Sequence, residues 1–209
     1  VKTISVLFIG NDPEVGGALL RELDLGSASA LPAPPEILVR LRLQAGAVGD
    51  PAPWRAAIAE ADLMGFYGHH LDQAAVETLR AIYELCKEKR SAPLHLLLCR
   101  NGDAGEFKMS CPHCGQKMWV RETDADKRGR CPTCQKGFPV PHALKEFKAR
   151  LGLPDLAPIT PVTLGHPVAA HAALMAILRP VVGPLLDARG LLISEALQKH
   201  VLHFQVDRA

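Results

Sequence analysis

Four cysteines carry the strongest chemistry in this chain. They fall as Cys111-Pro-His-Cys114 and Cys131-Pro-Thr-Cys134, two Cys-x2-Cys pairs with sixteen residues between them. Each short spacing aims two thiolates at one point, and a hairpin between the pairs brings the two points together. Four thiolates at about 2.3 Å close a tetrahedron around Zn²⁺ and leave no coordination position open. That is the chemistry of a structural site, not of a catalytic one. Pro112 and Pro132 fix φ inside each pair, and Gly115 permits the positive φ that turns the chain outward. Iron competes for the same ligands. Two disulfides would need an oxidising compartment, which nothing in the sequence indicates.

The rest of the composition sets what can surround such a site. The chain has 209 residues, 48% of them apolar, and a net charge of +2. That length suits one domain with an inserted module, and the charge argues against adhesion to nucleic acid or membrane as its main task. No apolar run reaches the length of a membrane span. The run from Val1 to Gly10 is too short for a signal peptide and reads as a first strand. Cys86 and Cys99 sit in apolar surroundings without a pairing pattern, which suits a reducing cytoplasm.

Hydrophobic periodicity supplies the elements. Ile4 to Ile9 is a strand buried on both faces. Asp12 caps a helix that carries Val15, Leu19, Leu20 and Leu23. Glu36 to Leu43, alternating at Arg40 and Arg42, reads as an edge strand with one wet face. Asp50 opens a short helix, Asp62 to Tyr67 is a third strand, and Asp72 caps a long helix with Val76, Leu79, Ile82, Tyr83 and Cys86 on one face. Pro93 to Cys99 is a fourth strand. After the cysteine pairs come a helix (142–151), a fifth strand (Ile159 to Leu164) and a helix from Pro167 to Leu178. The alternation predicts a doubly wound, flavodoxin-like parallel sheet of five strands. It divides the chain into an α/β domain (1–104 and 142–182), an inserted module (105–141) and a helical extension (183–209). In that extension Ser194 caps a helix with Leu197, Val201 and Phe204 on one face, a surface that would hold a second copy of the chain or pack on its own domain.

Two resemblances add to this reading. Residues Met109 to Pro141 resemble the CPxCG…CPxC zinc ribbons of bacterial proteins, departing at Gln135, with the turn expected back at Gly137. The α/β part resembles the receiver domain of bacterial response regulators. The likeness is carried by Val6-Leu-Phe-Ile-Gly-Asn-Asp-Pro-Glu-Val15, by Asp62-Leu-Met-Gly-Phe-Tyr67, and by Leu164-Gly-His-Pro-Val168, where the family has a Lys before a cis proline. The resemblance implies the fold but not the activity. Tyr67 stands at the phospho-accepting position, Gly10 and Asn11 at the acidic pair with Asp12 one place along, Leu98 or Cys99 at the hydroxyl, and His166 at the lysine. The resemblance therefore implies a pseudo-receiver that cannot take a phosphoryl group.

Rival sites are weaker. Gly10-x4-Val15-Gly16-Gly17 lacks the Lys-Ser/Thr of a nucleotide-binding loop, although a degenerate small-GTPase-like domain would share much of the pattern. His69 and His70 lie at the strand edge where such folds place ligands, yet adjacent histidines on a polar turn read as solvated. His113 and His142 flank a set of thiolates that is already complete. Trp119 is expected to pack near Phe138. In the module seven cations stand against four carboxylates, and a tetrathiolate zinc carries two negative charges, which leaves little for phosphate. The expectation is a non-enzymatic signalling or scaffold protein of a two-component type, with the module at the carboxyl rim forming a protein-docking surface. A nucleic-acid regulator is the alternative.

Overall fold

Residues 1–23, 35–68, 73–88, 94–101, 106–153, 158–199 and 201–207 are described in the computed structural model. Six parallel strands form a curled sheet in the order β10-β2-β1-β3-β4-β9. These are β1 (Lys2–Gly10), β2 (Ile37–Ala45), β3 (Leu63–Gly68), β4 (Leu94–Asn101), β9 (Ile159–Leu164) and β10 (Leu202–Val206). Six helices accompany them: α1 (Pro13–Leu23), α2 (Pro51–Ala59), α3 (Gln73–Glu88), α4 (Ala143–Leu151), α5 (Pro167–Asp187) and α6 (Ile193–Gln198). Between β4 and α4 lie β5 (Glu106–Ser110), β6 (Lys117–Arg121), β7 (Arg128–Arg130) and β8 (Gly137–Pro139). Since β1 pairs with both β2 and β3, the strand order reverses there, and the carboxyl edge of β1 and β3 is the place where doubly wound folds bind ligands.

The apolar run of β1 serves two cores, as period-two alternation requires. Ile4, Val6 and Phe8 pack with α1 and α5, among Leu19, Leu174 and Ile177. Leu7 and Ile9 join Phe66, Leu79, Ile82 and Phe147 on the other face. The caps predicted at Asp12 and Asp50 are present. Asp12 Oδ1 accepts from the amides of Glu14 and Val15 at 3.0 and 3.1 Å, and Asp50 Oδ1 accepts from Ala52 at 2.9 Å. Asp72 lies outside the described residues, as do His69 and His70.

The tail departs from expectation. Residues 202–206 are a sixth strand, paired with β2 from Leu202 beside Ile37 to Val206 beside Leu41. Helix α6 is short, and Leu192, not Ser194, stands at its N-cap. The three-residue spacing of Val201 and Phe204 mimicked a helix, whereas Leu202, Phe204 and Val206 alternate as a strand does. Strand β2 is therefore not an edge: its unpaired amides and carbonyls meet β10. Leu202 and Phe204 are buried in their own domain.

Helix α5 also runs past the predicted stop at Leu178, through Pro180 and Pro184. An internal proline removes a backbone hydrogen bond, but Val182 and Leu186 continue the buried face of Leu174 and Leu178, and that burial outweighs the loss. By length and composition alone, Ala170–Asp187 is apolar enough to cross a membrane. In the fold its buried side is the layer against the sheet.

Candidate metal centre and a filled carboxyl edge

Two antiparallel hairpins, β5–β6 and β7–β8, each present one cysteine pair. The pairs sit in matching turns. Gly115 donates to the Cys111 carbonyl and Gln135 to the Cys131 carbonyl, each at 3.0 Å, while the Cys111 and Cys131 amides reach Gln116 and Lys136. Both turns need a left-handed residue: Gly115 has φ +74° and Gln135 φ +60°. The second turn is thus made at Gln135 itself, held by its side-chain amide on the Pro132 carbonyl, while Gly137 lies in β8.

The four sulfurs of Cys111, Cys114, Cys131 and Cys134 lie within 4.8 Å of one another. Cys111 Sγ is 3.8 Å from Cys134 Sγ, and Cys114 Sγ is 3.6 Å from Cys131 Sγ. A tetrahedron with metal–sulfur bonds of about 2.3 Å has edges of about 3.8 Å, whereas a disulfide would bring sulfurs to about 2.05 Å. The arrangement can hold a metal ion. The amides of Cys134 and Thr133 point at Cys131 Sγ and hold its thiol down to about 6. The Gln116 amide acts in the same sense on Cys114, but desolvation and the three neighbouring sulfurs outweigh it, and that thiol is raised to about 12. Four adjacent sulfurs cannot all ionise without a cation between them.

Neither flanking histidine is a ligand. His113 donates through Nε2 to the Gly137 carbonyl at 3.1 Å and ties the first turn to β8. His142 bridges Asp126 at 2.9 Å and Glu122 at 3.4 Å, and these carboxylates raise its pKa, Asp126 most. The other oxygen of Glu122 accepts from the Ala143 amide at 3.0 Å, at the start of α4. Glu122 therefore docks the module on the α/β domain. On the far side β5 pairs with the end of β4, Asn101 beside Glu106, and Phe107 is buried in the same cluster as Phe147. The insertion stands at the carboxyl rim, as its position after β4 requires.

The expected receiver positions give a second result. Gly10 pairs with Tyr67 across β1 and β3, and Tyr67 is fully buried with its hydroxyl donating to the Asp12 carbonyl at 2.7 Å. Burial raises its pKa. A Cβ at Gly10 would come within 2.6 Å of the Tyr67 ring, and one at Gly16 within 2.3 Å of its oxygen. Both glycines make room for the phenol. Asp12 has its carboxylate on the α1 amides. Leu98 and Cys99 are buried, and burial pushes the Cys99 thiol, like that of Cys86, up to about 12. His166 is exposed at the N-cap of α5, and the bond to Pro167 is trans.

The sequence matches no family model and no curated protein. The receiver and ribbon likenesses therefore rest on the residues quoted for them. Sequence reasoning missed Glu122 as a helix cap, since its partner is far along the chain. It also misplaced Trp119, which is 43% exposed and absent from the buried cluster of Phe138 and Val140. The alternation Lys117-Met-Trp-Val-Arg121 was the available signal: it puts Trp119 on the polar face.

Proposed function

We propose that this chain is a non-enzymatic signalling or scaffold protein. Its α/β domain is a pseudo-receiver, and a structural zinc ribbon on Cys111, Cys114, Cys131 and Cys134 forms a protein-docking surface with the adjoining face of α4, β9 and α5. The observation that carries this reading is Tyr67. The carboxyl-edge crevice, where a phosphoryl group or nucleotide would sit, is filled by a buried phenol hydrogen-bonded to Asp12, with Gly10 and Gly16 fitted around it. A phenol there is no acceptor for an acyl phosphate, and Gly10 offers Mg²⁺ nothing to hold. The glycines that a small-GTPase-like loop would turn towards phosphate are taken up by the same ring. With that edge closed, the metal module is the part of the rim left to act. Buried reduced thiols at Cys86 and Cys99 accord with a cytoplasmic setting. Acetyl phosphate or beryllofluoride with Mg²⁺ should leave the protein unmodified and its amide spectrum unmoved. An acid-labile phosphate on any carboxylate would overturn the reading.

A further inference from the structure

The two hairpins leave a cleft of about 660 Å³ between β6 and β7, apart from the sulfur tetrahedron. Trp119 lines it, and Lys108 Nζ lies 5.3 Å from the indole centroid. Five cations (Lys117, Arg121, Lys127, Arg128, Arg130) line the same cleft against two carboxylates, Glu106 and Asp124. Those two are engaged by Arg121 at 3.6 Å and Lys127 at 2.9 Å. Arg128 and Arg130 are exposed and have no carboxylate partner among the described residues. The remaining acids of the module, Glu122 and Asp126, are turned towards α4 through His142 and Ala143. The small net charge of the module thus averages two unlike faces, one with its acids bonded to the start of α4, the other basic and open.

We propose that this cleft binds single-stranded nucleic acid, with Trp119 stacking a base and Arg128 and Arg130 meeting the flanking phosphates. An exposed indole among cations provides a stacking surface and counter-charge together, the two things an unpaired strand needs. An acidic peptide would use the cations and leave the indole without a role. The proposal rests on the metal-organised module and not on protein docking at α4, β9 and α5.

Fluorescence anisotropy of the metal-loaded full chain with labelled oligothymidylate of about twelve nucleotides tests it. Binding should weaken steeply with salt and quench indole fluorescence. Trp119→Ala should weaken binding by about tenfold or more while Trp119→Phe keeps most of it. Arg128→Glu with Arg130→Glu should nearly abolish it, each variant first being shown to keep its metal. Absence of salt-dependent binding, unchanged affinity in Trp119→Ala, or equal competition by a polyglutamate peptide would overturn the proposal. Such a failure with metal bound would leave the Tyr67 reading standing, because phosphoryl transfer reports on that one separately.

Discussion

The α/β domain and the cysteine module are held together by different physics. The domain has apolar clusters on both faces of its sheet, built from side chains such as Phe8, Leu41, Leu174, Phe66 and Ile82 that need no partner beyond each other. The buried cluster of the module comprises Cys111, Cys131, Phe138 and Val140, so half of it is candidate ligands. Such a cluster cannot close on hydrophobic burial alone. The two regions also treat their functional positions in opposite ways. The domain fills its crevice with Tyr67, whereas the module keeps Trp119 and its arginines outside. At the carboxyl rim the crevice is closed by Tyr67, and beside it the module presents an open basic cleft.

The largest effect should come from breaking the metal set. Cys131→Ser, or removal of metal by a strong chelator, should unfold the module, since a structural zinc contributes on the order of 10 kcal/mol to a small domain. The sheet should survive, because its two clusters contain none of the four ligands. Amide spectra would show collapse of resonances from residues 106–141 with those of β1 and β3 retained. Global loss of far-ultraviolet dichroism would erase the distinction between the regions.

Tyr67 comes next. Tyr67→Ala should destabilise the domain by about 3–5 kcal/mol through the cavity it leaves, and Tyr67→Phe by about 1 kcal/mol through the lost bond to Asp12. Denaturant unfolding measures both, and neither should change metal content. A neutral Tyr67→Ala would mean that the crevice is not closed by this ring.

The smallest effect concerns the joint. The carboxylates of Asp126 and Glu122 raise the pKa of His142 above its ordinary value. Its contribution is therefore fully present below the unfolded imidazole value and is lost as pH rises through the folded one. Docking of the module on α4 should loosen across that window, visible as faster amide exchange at Ala143. His142→Gln should remove the pH dependence. If wild type and variant track each other, the joint rests on Glu122 and Phe107 instead.

What could be read from the sequence follows the range of the interactions. The cysteine pairs, the caps at Asp12 and Asp50, and the buried strands are local patterns, and they appear where the sequence placed them. Strand β10 was hidden because its partner β2 is far away in the chain, and because Phe204 falls by chance at a helical spacing from Leu197 and Val201, which precede the strand. Helix α5 outran Pro180 because tertiary burial overrode a local stop signal. The role of Tyr67 as a plug was not legible, since the complementary gaps at Gly10 and Gly16 exist only once β1, β3 and α1 are assembled.

The metal content of the protein as isolated tests the central claim most directly. Native mass spectrometry with elemental analysis should find one zinc per chain, and cobalt exchanged into the site should give the visible absorption of a tetrahedral tetrathiolate. Well under one equivalent of metal, or the red colour of a thiolate iron centre, would contradict the account.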